Sequence, residues 1–151
     1  MYDVEGKACL DLFAGSGALG LEALSRGAKQ VTFVEKSRQA AQQIKTHLNS
    51  LNCAKGKVCN DDAIRWLEQS KASKTIEGFD ILFLDPPFHK EFLHQVLETI
   101  INDGYINPNG YIYIEAESSY QLPKLPEGWQ LNRKKTAKNK VFFLLKNSPQ
   151  S

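Results

Sequence analysis

The chain has 151 residues, 42% hydrophobic and 24% charged, proportions that suit a single soluble domain with a proper core spanning residues 1–151. No apolar stretch approaches the roughly twenty residues of a bilayer span, and Met1-Tyr2-Asp3-Val4-Glu5 lacks the basic and apolar regions of a signal peptide, so a cytoplasmic protein with no membrane partner is expected. The net charge of +2 hides an asymmetry: Arg133, Lys134, Lys135, Lys138, Lys140 and Lys146 fill a C-terminal stretch without acidic residues, leaving 13 of the 19 basic residues with all 17 acidic ones.

Such a basic edge can steer a polyanion to one face, or simply discourage strand-to-strand aggregation. Cys9, Cys53 and Cys59 are odd in number and form no C-x-x-C pair. Buried or half-buried thiols are expected rather than disulfides or a metal site.

In chain order, Cys9-Leu10-Asp11-Leu12-Phe13 reads as a short strand running into Ala14-Gly15-Ser16-Gly17-Ala18-Leu19-Gly20, a G-x-G-x-x-G turn in the strand-to-helix context that gives it meaning. The glycines let a ligand approach the backbone and the helix pack closely. Ala18, Leu21 and Leu24 are expected to carry that helix, which stops at Arg26-Gly27. A second strand, Val31 to Val34, ends in Glu35, an acidic side chain placed to accept hydrogen bonds from a ribose. A carboxylate at Asp11 would oppose a pyrophosphate but attract a sulfonium or an amino group, and Ser16 stands where a basic residue would welcome phosphate. S-adenosylmethionine is therefore the first reading of the ligand and a dinucleotide the second.

Ser37 opens a helix with Ala41, Ile44, Leu48 and Leu51 at helical spacing. A strand around Lys57-Val58-Cys59 leads to Asn60-Asp61-Asp62 and a helical face of Ala63, Ile64 and Leu67. Asp62 can cap this helix, accept an adenine amino group, or do both.

The apolar run Phe79, Ile81, Leu82, Phe83, Leu84 reads as a buried strand closed by Asp85-Pro86-Pro87-Phe88. Strand ends are where open α/β enzymes keep their chemistry. Asp85 can accept an amine hydrogen, two prolines stiffen the loop, and Phe88 offers a ring for a flat substrate. The plainer reading is an ordinary strand-to-helix loop. Leu93, Val96, Leu97, Ile100 and Ile101 define the next helix, Pro108-Asn109-Gly110 a turn into the strand Tyr111 to Glu115, and Trp129 with Leu131 a sixth strand. The loop Thr136 to Asn139 joins it antiparallel to Lys140 to Leu145, whose apolar faces place it inside the sheet. His47, His89 and His94 read as surface residues on helices or loops.

This order resembles the Rossmann-like class I fold of S-adenosylmethionine-dependent methyltransferases: a seven-stranded, mostly parallel sheet with an antiparallel last strand and helices on both faces. Asp11 to Ala23, Val34-Glu35-Lys36 and Leu84-Asp85-Pro86-Pro87-Phe88 together resemble the bacterial family that methylates N2 of guanine 966 in 16S ribosomal RNA. The resemblance implies that Asp11, Gly15 and Gly17 hold the methionine end of the cofactor, with Phe13, Ser16 and Lys36 in the same site. It assigns Glu35 to the ribose, Asp62 with Ala63 to the adenine, and Asp85, Pro86, Pro87 and Phe88 to the target base. Family members carry a basic N-terminal segment before the first strand, whereas Met1 lies almost directly at it. The implied partner is 16S ribosomal RNA or an assembling 30S subunit, and nothing demands more than a monomer. The alternatives are an adenine of DNA or a protein glutamine as acceptor, a nicotinamide-dependent oxidoreductase, or a non-catalytic RNA-binding remnant.

Overall fold

The computed structural model describes residues 3–73, 78–87 and 89–149. The chain divides into two compact units, Met1–Ile76 and Glu77–Ser151.

In the first unit, strands β1 (Ala8–Asp11), β2 (Gln30–Val34) and β3 (Gly56–Cys59) alternate with helices α1 (Ala18–Ser25), α2 (Arg38–Ser50) and α3 (Ala63–Ser73). The strands lie in the order β3-β2-β1, all parallel, with Asp11 beside Phe33 and Phe33 beside Val58. Val31, Phe33 and Val34 are fully enclosed, the continuous apolar run expected of a parallel strand covered on both faces. β1 ends at Asp11, two residues before the expected Phe13, because the chain leaves the ladder to enter the glycine turn, where the Ala14 N–H donates to the Val34 carbonyl at 3.0 Å.

Helix α1 packs on β1 and β2. Its buried residues are Gly20 and Ala23, not the expected Ala18, Leu21 and Leu24, of which Ala18 is exposed and the leucines half-buried. The cause is proximity: a Cβ on Gly20 would overlap the Phe33 ring, so only the smallest residues fit at the contact and the leucines flank it. Helix α2 follows expectation at Ala41, Ile44 and Leu48, and the Ser37 hydroxyl caps it by accepting the Ala40 N–H at 3.2 Å. Leu51 is instead 67% exposed, since it sits at the C-cap beyond the last helical turn.

The second unit holds β4 (Phe79–Leu84), α4 (Lys90–Asn102), β5 (Ile106–Glu117), β6 (Trp129–Ala137) and β7 (Lys140–Asn147). Their order is β4-β5-β7-β6, with β4 parallel to β5 and β7 antiparallel to both neighbours. The last strand thus lies inside, as its apolar faces suggested, and Val141, Phe143, Leu144 and Leu145 are buried. β6 is exposed along almost its whole length. Its Arg133, Lys134 and Lys135 give the sheet a charged margin that resists edge-to-edge pairing.

Pro108-Asn109-Gly110 lies within β5 rather than before it. Between the pairs Phe79 with Ile106 and Ile81 with Tyr111, β4 advances two residues and β5 five. Pro108 has no N–H for the ladder and Asn109 takes a positive φ of 67°, so this stretch bulges. The Asn107 side-chain amide donates to the Gly78 carbonyl at 3.2 Å and to Asp80 Oδ1 at 3.0 Å, fastening the bulge to β4. Among the described residues, no helix is long and apolar enough to cross a membrane.

Candidate active site

The glycine turn of the first unit is held open by two residues in left-handed conformation, Gly15 (φ 56°) and Gly17 (φ 79°), the latter at the N-cap of α1. Nothing lies within 4 Å of where a Gly15 Cβ would stand. Bare backbone therefore faces open space, the condition for close approach of a ligand. Ser16 is exposed beside it and Phe13 half-buried before it.

Glu35, at the tip of β2, fixes this turn. Its Oε1 accepts the Gly15 N–H and its Oε2 the Ser37 N–H, both at 2.7 Å, so one carboxylate ties the glycine loop to the start of α2. A carboxylate offers about four lone-pair positions, which leaves capacity for hydroxyl donors. Asp11 is 3% exposed and its Oδ2 accepts the Gly20 N–H at 3.1 Å. Between Asp11 and Gly20 there is no basic residue. The charge here is negative, which disfavours a pyrophosphate and favours a cationic group.

The tip of β3 is brought to the same place. The Asn60 side-chain amide donates to the carbonyls of Glu35 at 2.9 Å and Lys36 at 3.0 Å, and the Asp61 N–H donates to the Glu35 carbonyl at 3.1 Å. Asp62 opens α3 as a cap, its Oδ2 accepting the Arg65 N–H at 3.2 Å. Ala63, the first residue of that helix, is buried, and an N–H at that position has no intrahelical acceptor. Asp11, Gly15, Gly17, Glu35, Asp62 and Ala63 thus lie on consecutive, mutually bonded strand tips. The Lys36 side chain is exposed, and its bond in this cluster is made by the backbone carbonyl. In the sequence Asn60 and Asp61 look like helix-leading polar residues, with no local signal that marks them as part of the site.

In the second unit, Asp85 follows the last residue of β4, Pro86 is buried and Pro87 exposed. Phe88 lies outside the described residues. Leu84 pairs with Ile114 in parallel register, so the next residues, Asp85 and Glu115, stand side by side. Glu115 Oε1 accepts from Lys140 Nζ at 2.7 Å across the sheet. Asp85, Pro86, Glu115, Glu117, Asn139 and Lys140 line a cavity of about 210 Å³.

Asp85 reaches solvent, yet the protein around it removes enough water to raise its carboxyl pKa to about 6; the negative charge of Glu115 and a hydrogen bond with it act in the same direction, and Lys140 opposes them. The Lys140 ammonium is held charged by its bond to Glu115. Tyr113, behind this group, has its phenol pKa raised by burial and by Glu115 and Asp85. Sequence alone points to Asp85 as a site residue but to neither Glu115 nor Lys140. The signal for Glu115 was available, since it too is an acid at the tip of an apolar strand. Lys140 reads in sequence as one of many edge lysines.

The family model described as "Conserved hypothetical protein 95" matches residues 1–146. The chain belongs to this family. It is 40% identical to the "Ribosomal RNA small subunit methyltransferase D" of Haemophilus influenzae, over 92% of this chain and 71% of that protein. It is 37% identical to the protein of the same name from Escherichia coli K12, over 94% of this chain and 69% of the relative. The solved structure of yhhF from Escherichia coli superposes with a TM-score of 0.86 at 35% identity, covering 97% of this chain and 80% of that one. The fold is accordingly the expected class I methyltransferase fold, a mixed, mostly parallel set of seven strands with an antiparallel last strand.

Proposed function

We propose that the protein is an S-adenosylmethionine-dependent methyltransferase that methylates the exocyclic N2 amine of a guanine in 16S ribosomal RNA. The observation that carries the reading is Asp85, set at a strand tip beside the buried Pro86 and facing a cavity that contains Glu115 and Lys140. Relatives named as small-subunit ribosomal RNA methyltransferases support it. The nicotinamide alternative lacks a basic group to meet a pyrophosphate in the glycine turn.

The residues of the first unit fit the cofactor. Asp11, Gly15 and Gly17, with Phe13 and Ser16 in the same turn, would hold its methionine end, Glu35 its ribose hydroxyls, and the Asp62 carboxylate with the Ala63 N–H its adenine. When bound, S-adenosylmethionine supplies an electrophilic methyl group on a sulfonium.

The acceptor amine is a weak nucleophile because its lone pair is delocalised into the ring. Asp85 and the Pro86 carbonyl would each accept one amine hydrogen, and these bonds strengthen as positive charge develops on nitrogen. Pro86 and Pro87 keep that carbonyl from turning away. No covalent enzyme intermediate is required, and the amine proton can leave to Asp85 or to water.

The ionised Asp85 is the stronger acceptor for an amine that becomes positive, so transfer falls with acid. With its pKa at about 6, the rate of labelled methyl transfer to small-subunit ribosomal RNA is expected to rise with pH through that value, standing at pH 5 about tenfold below its plateau. A flat profile between pH 5 and 8 would remove ionised Asp85 from the reaction.

The exposed strand β6, with Arg133, Lys134 and Lys135, offers cations to RNA phosphates. Alanine at all three is expected to weaken RNA binding and reduce its salt dependence by about two to three units of slope. An unchanged slope in filter binding would confine these residues to protecting the sheet edge. An RNA substrate of this kind implies a cytoplasmic protein, and a monomer suffices for it; light scattering reporting a stable dimer would overturn the second point.

A further inference from the structure

Of the three carboxylates and one ammonium lining the Asp85 cavity, Asp85, Glu115 and Lys140 follow the order of the strands. Asp85 follows the last residue of β4, Glu115 stands beside it on β5, and Lys140 begins β7 opposite Glu117, its ammonium reaching back to Glu115 Oε1 at 2.7 Å. The order across three neighbouring strands is thus acceptor, acceptor, donor. The pairing edge of guanine presents, in sequence, the N2 amine, the N1–H and the O6 carbonyl: donor, donor, acceptor. Adenine presents an amine donor followed by a bare N1 acceptor.

We propose that Glu115 and Lys140 determine the identity of the acceptor base, the Glu115 carboxylate accepting guanine N1–H and the Lys140 ammonium donating to O6, while Asp85 takes the N2 amine. The inference rests on the guanine reading above and names the residues that enforce it. Capacity is available on both groups. Glu115 uses Oε1 toward Lys140, and Lys140 has three donors of which this bond takes one. In the free protein the two carboxylates lie close enough for Glu115 to raise the Asp85 pKa; two N–H groups from the base would offset the repulsion between them. An adenine in the same position would set its N1 lone pair against the Glu115 carboxylate, a repulsive element of the kind that produces discrimination. The asymmetry is useful to an enzyme whose attacked group, a planar amine, looks alike on either purine.

The test is methyl transfer to small-subunit ribosomal RNA ligated with either guanine or 2-aminopurine at the methylated position. 2-Aminopurine keeps the 2-amine, has an acceptor at N1 and lacks O6. The wild-type protein is expected to prefer guanine by about 10- to 100-fold, the discrimination typical of a matched pair of hydrogen bonds to a base edge. Glu115→Gln, whose amide can turn its NH2 toward a bare N1, should lower transfer to guanine and raise it to 2-aminopurine. Lys140→Met should lower only the guanine rate, and Lys140→Arg should restore part of it. A fold defect would lower both rates together and leave their ratio intact. Turnover of guanine with an unchanged ratio in both variants overturns this assignment alone; no transfer to guanine by the wild-type protein overturns the functional reading with it.

Discussion

Replacing Asp85 by asparagine is expected to lower methyl transfer by about 10²- to 10³-fold, the usual cost of removing one pre-positioned polar partner of a developing charge, while S-adenosylmethionine affinity stays within about twofold. The amide keeps the size and one oxygen of the carboxylate but loses its charge, and the charge is what gains as the amine nitrogen becomes positive. Affinity is spared because the residues proposed to hold the cofactor, Asp11, Gly15, Gly17 and Glu35, lie in the other compact unit.

The same substitution has an expected effect on stability of opposite sign. The folded chain binds the Asp85 proton more tightly than the unfolded chain, with a pKa of about 6 against 3.8. The ionised carboxylate therefore counts against the fold above about pH 6, and that penalty fades as pH falls toward 4. Asparagine removes it. Because Asp85 is exposed, screening keeps the gain small, and the melting temperature near neutral pH should be unchanged or slightly higher. Normal turnover by this variant in a radiolabelled transfer assay would exclude Asp85 from the reaction; a marked loss of melting temperature would mean that it serves the fold.

Glu35→Ala has the second largest expected effect, and on the other unit. It removes two charge-assisted acceptors at once, freeing the Gly15 and Ser37 N–H groups that now meet the carboxylate at 2.7 Å. Both N–H groups lie at the surface and can turn to water, so the stability cost should be modest, about 1 kcal/mol. Cofactor affinity should suffer more, by at least about tenfold, because the proposed ribose partner and the anchor of the glycine turn are lost together. Isothermal titration with S-adenosylhomocysteine measures this directly. Glu35→Gln, which retains one carbonyl acceptor, should fall between the two. Equal affinity in all three proteins would limit Glu35 to bracing the loop.

These two residues also mark what could be read from the amino-acid order. Strand tips ending in Glu35 and Asp85 were legible because apolar runs, glycine turns and paired prolines are local signals that need no knowledge of neighbours. The insertion of β7 between β5 and β6 was legible for the same reason, since Val141 to Leu145 is apolar on alternate faces at once. The grouping of Asp85, Glu115 and Lys140 was not, because it depends on register: only the pairing of Leu84 with Ile114 brings Glu115 beside Asp85, and only the reach across β5 and β7 brings Lys140 to Glu115. Helix α1 misled for a related reason. Its leucines recur at helical spacing, but the distance to Phe33 selects Gly20 and Ala23 for the contact, and no periodicity encodes a distance. The bulge at Pro108 to Gly110 reads as a turn from residue type alone; that it continues as strand follows from Asn107 holding Gly78 and Asp80. Asn60 is hidden among polar residues, although its amide ties the tip of β3 to the tip of β2.

The chemical identity of the product separates guanine N2 methylation from the alternatives. Small-subunit ribosomal RNA incubated with the protein and S-adenosylmethionine, then digested to nucleosides and separated by mass spectrometry beside standards, should contain one additional 2-methylguanosine per molecule, absent with Asp85→Asn. The appearance of N6-methyladenosine instead, or of no methylated nucleoside with either naked RNA or 30S particles, would contradict it.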